Sequence, residues 1–132
     1  EFVMRVVKRR AIVFFVSDFI GPGFAPDEVR TPLGIAARRH DLVAVSVTDP
    51  AELELPNLGL AEIEDAETGS LVTLDTSSPA VRRAFARHRE EQLGRREALF
   101  RQLGIDHIPV RTDQDFTKSL HRFFQARARR YR

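Results

Sequence analysis

The chain has 132 residues, a length that fits one domain. With 42% apolar and 30% charged residues it can build a packed core, and its composition excludes a disordered chain. Lys and Arg total 21 against 19 Asp and Glu, so the formal net charge of +2 gives little support to a nucleic-acid partner. Cysteine is absent, which excludes disulfides, thiolate metal sites and a cysteine nucleophile and accords with a reducing, cytoplasmic compartment. No run approaches the roughly 18 apolar residues of a membrane span, and no signal peptide is apparent. Glu1-Phe2 reads as a translated restriction site, so residues 1–8 are expected to be a tag or linker remnant and the native protein to continue upstream.

After the basic residues Arg5, Lys8, Arg9 and Arg10 comes the unbroken apolar run 11–16, Ala-Ile-Val-Phe-Phe-Val. Such a run predicts a strand buried on both faces, as in a parallel sheet. Gly21, Pro22, Gly23 and Pro26 then mark a loop. The stretch from Asp27 to His40 reads as a helix, with Thr31 as its N-cap, Pro32 at its first position and Leu33, Ala36 and Ala37 on its apolar face. Residues 42–47 form a second apolar strand closed by Asp49-Pro50. Strand, helix and strand in this order predict a βαβ unit and hence a parallel sheet.

Residues 51–77 break that pattern. Leu60, Ile63, Leu71, Val72 and Leu74 flank the turn sequence Glu67-Thr68-Gly69-Ser70, which predicts an antiparallel hairpin. A long helix follows from a Ser78 cap to about Leu103, with Val81, Phe85, Leu93, Leu99, Phe100 and Leu103 on one stripe and Gly104 as its stop. Residues 105–110 give a third strand, placed at an edge by Pro109. Asp115 caps the last helix, whose Leu120, Phe123, Phe124 and Arg127 share a face. The fold class is therefore α/β: three parallel strands with flanking helices and an inserted antiparallel hairpin, in a single domain over residues 1–132.

Four segments together resemble domain-of-unknown-function family 58, bacterial proteins with a von Willebrand factor A-like core. They are residues 9–19 (Arg-Arg-Ala-Ile-Val-Phe-Phe-Val-Ser-Asp-Phe), 39–45 leading to Asp49-Pro50-Ala51-Glu52, 55–60 with Glu64-Asp65-Ala66-Glu67-Thr68-Gly69, and 123–127 (Phe-Phe-Gln-Ala-Arg). The resemblance runs from about residue 9 to 130. It implies the C-terminal half of a doubly wound fold whose intact form carries a metal-ion-dependent adhesion site for Mg²⁺ or another divalent cation. Asp18, at the end of the first strand, matches the aspartate that holds a metal-bound water in that site. The Asp-x-Ser-x-Ser element of the family occurs nowhere in the 132 residues. One carboxylate with waters cannot hold Mg²⁺ tightly, so no cofactor is expected in this chain alone. The resemblance further implies a MoxR-type AAA+ ATPase as partner in assembly or chaperone work, and an upstream segment that could anchor the intact protein to a membrane.

The remaining chemistry-bearing residues read more plainly. His40, His88, His107 and His121 show no zinc-ligand spacing, and His40 reads as a cation at a helix C-terminus. Asp106, Asp113 and Asp115 read as turn and cap formers rather than metal ligands. Glu62, Glu64, Asp65 and Glu67 read as the solvated face of the hairpin. The serines, including Ser46, lie in no Gly-x-Ser-x-Gly pattern. The tail with Lys118, Arg122, Arg127, Arg129, Arg130 and Arg132 reads as a solvated helix end carrying non-specific charge. The expected function is a non-enzymatic protein-interaction module that self-associates through the bare edge of strand 11–16; the alternative is a basic accessory domain that binds nucleic acid.

Overall fold

In a computed structural model the described residues are 2–21, 23–65 and 68–130. Glu1, the Pro22 breaker, the Glu67 turn position and Arg132 of the tail lie outside them. The elements in chain order are α1 (Phe2–Val6), β1 (Ile12–Ser17), α2 (Pro26–Arg39), β2 (Asp41–Thr48), a short 3₁₀ turn (Pro50–Glu52), β3 (Leu60–Glu64), β4 (Leu71–Asp75), α3 (Pro79–Gln102), β5 (Asp106–Arg111) and α4 (Phe116–Arg130). β1, β2 and β5 form a parallel sheet in the order β1-β2-β5, and β3 and β4 form a separate antiparallel pair. The chain is thus a mixed α/β fold, in keeping with part of a Rossmann-like arrangement.

β2 is the central strand, and Leu42 to Ser46 are all buried, as a continuous apolar run between two covered faces requires. Leu42 and Ala44 face one side, where they meet Val13 and Phe15 of β1, Phe100 of α3 and the Leu33, Ala36 and Ala37 face of α2. Val43 and Val45 face the other side with Ile108, Val110, Leu120 and Phe123, so α4 covers this second face. Pro109 sits on β5, an edge strand, as its missing N–H demands.

Four local expectations are corrected. β1 is not buried on both faces: Ile12 and Val16 are 59% and 60% exposed. Its apolar residues alternate between a face packed under α2 and α3 and a face that α4 reaches only at Phe14, whose ring centroid lies 6.3 Å from that of Phe124. α2 does not start at Thr31-Pro32. It starts at Pro26, with the amides of Glu28 and Val29 donating to Ala25 and with Asp27 and Glu28 at the positive end of the dipole. Pro32 then lies inside the helix, where it withholds one N–H from the ladder. Ser78 occupies the N-cap of α3 without making a side-chain capping bond. Phe124 does not join Leu120 and Phe123 on the Val43 cluster: it is about half exposed, with its ring edge-on to Phe123 at 5.2 Å.

The C-terminus of α3 follows its sequence signal closely. Gly104 adopts φ +66°, its amide donates to Arg101, and the amide of Ile105 reaches back to Phe100. This is a Schellman cap, and Ile105 packs in the same cluster as Phe100, so the turn is closed by hydrogen bonds and by apolar contact together.

Candidate functional site

The C-terminal ends of the parallel strands are where α/β folds present their binding loops. Asp18 follows β1 at this end and is exposed. One of its carboxylate oxygens accepts from the Ile20 amide at 3.2 Å, and its carbonyl accepts from Arg96 at 2.7 Å. Phe19 beside it takes φ 55° and turns its ring into the core against Phe15, Phe24 and Phe100. Arg96 lies over that ring at 5.5 Å and so fixes the loop from both sides. Asp18 is therefore an anchored loop carboxylate. Among the described residues no three His, Asp or Glu side chains gather as metal ligands, so the groups present here do not by themselves fit the metal implied by the resemblance.

Asp18 borders a groove of about 700 Å³. Its walls are the β1–α2 loop, the segment after β2, the β3–β4 pair and the middle of α3. Ile63, Val72, Leu74 and Phe85 give it an apolar floor, and Asp18, Glu52, Glu62, Glu64 and Asp65 stand along it as acids against His88 and Arg89. Each wall has an identifiable anchor. Asp49 accepts from the Ala51 amide at 2.9 Å and from the Thr112 hydroxyl at 2.9 Å, tying the 3₁₀ turn to the end of β5. Arg89 donates to the Glu52 carbonyl at 3.0 Å, which holds that turn against α3. Buried Thr76 donates to Gly59 at 2.7 Å and accepts from Leu58 at 2.9 Å, closing the base of the hairpin. Arg82 donates to the Thr76 and Ser77 carbonyls at 2.6 and 2.9 Å and fastens that base to α3.

Of the acids expected to form turns and caps, Asp113 and Asp115 do so and Asp106, on β5, does not. Asp113 accepts two bonds from Arg111, each 3.0 Å, and that guanidinium holds its carboxyl below the usual range. Asp115 caps α4 by accepting from the Thr117 amide and hydroxyl, which lowers its pKa as well. Asp106 and Asp41 both pair with Arg127, so this arginine is committed to a partly buried bridge between β2, β5 and α4 and is not a free tail charge. His40 is corrected outright. It is 1% exposed, and neither ring nitrogen has a partner among the described residues, so it is a core side chain and not a solvated helix end.

Sequence reasoning treated Ser46 and His107 separately, and the sheet brings them together. The Ser46 hydroxyl lies 2.8 Å from His107 Nε2 across β2 and β5. Ser46 is 1% exposed, however, and no substrate can reach it. Burial pushes the His107 pKa below the ordinary imidazole range; Arg96 adds to the shift and Glu97 opposes it. No sequence signal marked this pair, because its members are 61 residues apart and meet only through strand register.

The family described as Protein of unknown function DUF58 matches residues 1–95. Uncharacterized protein MAV169 of Mycobacterium avium is 34% identical over 126 residues, covering 95% of this chain and 71% of that protein. Uncharacterized protein Rv1480 of Mycobacterium tuberculosis is 34% identical over 125 residues, and there the chain spans only 38% of the relative's length. Uncharacterized protein Mb1516 of Mycobacterium bovis shows the same identity and coverage. No solved structure matches the chain.

Proposed function

We propose, from the premise that this chain belongs to the DUF58 family, that it is a non-enzymatic protein-interaction module and that the groove beside Asp18 is its partner-binding surface. The observation that carries this reading is the groove itself, about 700 Å³ with an apolar floor and acidic flanks, at the end of the sheet that α/β folds use for binding. The sealed position of Ser46 and His107 argues on geometry against a hydrolase built on that pair. In the von Willebrand factor A-like arrangement that the sequence resembles, Asp18 stands at the adhesion site of the longer protein, whose other ligands come from beyond the described residues. The proposed partner is a MoxR-type AAA+ ATPase, engaged in the cytoplasm in assembly or chaperone work. Self-association through β1 belongs to the same reading.

The test is binding of the purified ATPase to the intact protein, with and without Mg²⁺, compared between the wild type and Leu58→Glu. Leu58 is 71% exposed on the groove, so the substitution leaves the core alone. The expected result is a tenfold or greater loss of affinity. Absence of any association, or equal affinity of the variant, removes the proposal.

A further inference from the structure

β3 has one edge that no other described strand pairs. Hydrogen bonds at the two ends of the β3–β4 ladder establish which backbone groups face which way. The Asp65 amide donates to Ser70 at 2.8 Å, and the Thr76 amide donates to Gly59 at 2.7 Å. Hydrogen-bonded and non-hydrogen-bonded pairs alternate along an antiparallel ladder. With the observed register, Gly59, Ala61, Ile63 and Asp65 direct their backbone groups to β4, and Leu60, Glu62 and Glu64 direct theirs outward. β3 pairs with β4 alone, and among the described residues no other backbone bond reaches those three. The groove follows this edge. It borders Ala61 to Asp65 without a gap, residues of both parities, but only Val72 and Leu74 of β4.

We propose that the open edge of β3 takes an extended segment of a partner polypeptide as a third strand, and that this segment alternates apolar and basic residues. The inference rests on the reading of the groove as an interaction surface and specifies how the partner is held. In an added strand, side chains on one face lie beside Ala61 and Ile63 and enter the apolar floor. Those on the other face lie beside the exposed Glu62 and Glu64, where Lys or Arg is favoured as a cross-strand partner. Asp18 and Glu52 across the groove add the same sign. A second copy is disfavoured as the occupant, because pairing β3 with itself sets Glu62 and Glu64 against like charges. Charge on an exposed edge normally discourages indiscriminate pairing, and here its sign selects a cationic strand.

The test uses the ¹⁵N-labelled chain and an acetylated, amidated octapeptide alternating Lys and Val. Two further forms carry backbone N-methyl groups on every Lys or on every Val, which keeps the charge and removes the donors of one edge. The expected result is slowed exchange of the Leu60, Glu62 and Glu64 amides on binding, with one N-methylated form binding at least tenfold more weakly. The double variant Glu62→Lys with Glu64→Lys is expected to lose tenfold or more, and Glu90→Lys with Glu91→Lys, the same change of charge on the exposed side of α3, is expected to bind as wild type. Equal binding of all three peptides, unchanged exchange at those amides, or wild-type affinity of the Glu62, Glu64 variant overturns strand addition. Protection of the same amides by concentration alone assigns the edge to a second copy and overturns it equally. The ATPase assay on Leu58→Glu reads the groove independently of the edge, so the interaction reading survives or fails separately.

Discussion

His107 is held on β5 with its ring 5.2 Å from that of Phe100 and its Nε2 on the Ser46 hydroxyl. Desolvation there favours the neutral imidazole, so the folded pKa lies below the ordinary value of 6.5. The unfolded chain binds this proton at higher pH than the folded chain does, and stability must therefore rise with pH across that interval. The contribution is present in full above pH ~6.5 and is lost as pH falls through the unfolded value toward the folded one. The lowered carboxylates Asp75, Asp113 and Asp115 act in a separate window, since their stabilising effect fades only as pH falls below their ordinary value of 3.8. Urea midpoints should thus drop between pH 7.5 and pH 5, and His107→Gln should flatten that slope. A slope unchanged in the variant would refute the assignment to His107.

Between elements, Arg127 is the principal polar connection. Its guanidinium reaches Asp41 at the start of β2 and Asp106 at the start of β5, with the latter at 2.9 Å, and stacks over Phe123 at 5.8 Å. Its side chain is only 12% exposed, which lifts the pair out of the class of surface bridges worth less than about 1 kcal/mol. Deleting the cation leaves two partly buried carboxylates on neighbouring strands, a loss bounded above by the roughly 3–5 kcal/mol of a fully buried broken pair. Arg127→Ala is expected to cost about 2–3 kcal/mol in chemical denaturation. Adding Asp106→Asn to that variant should recover part of the loss by relieving the stranded charge. If the second substitution destabilises further, the bridge is not what fastens α4.

At the scale of the whole molecule, β1 and β3 each have an edge that no described strand pairs, and these edges differ in character. β3 carries Glu62 and Glu64, whereas β1 carries no charge and shows Ile12 and Val16 on the face that α4 meets at Phe14. A flat, apolar, uncharged edge is a template for pairing with another chain. The chain is expected to form a symmetric dimer through β1 at low micromolar concentration, and Ile12→Lys with Val16→Lys should return it to a monomer. Sedimentation velocity settles the point: a wild type that stays monomeric across the range, or a variant that still associates, contradicts the role of β1.

Element identity was written locally. The run 42–47, the Glu67-to-Ser70 turn sequence, Gly104 and Asp115 carry period, turn and cap signals that depend on neighbours a few residues away, and the strands, hairpin and helix ends follow them. Composition and segment order also sufficed for the α/β class and for the family resemblance. What covers each face was decided only by tertiary structure. Residues 11–16 read as doubly buried because their apolar run cannot say that α4 stops at Phe14. His40 read as a helix-end cation because its spacing cannot say that the core closes over it. Arg127 meets Asp41 across 86 residues of chain, and the groove arises where β3, α3 and the loops after β1 and β2 converge. Such contacts depend on the stacking and register of whole elements, and no short window of sequence encodes either one.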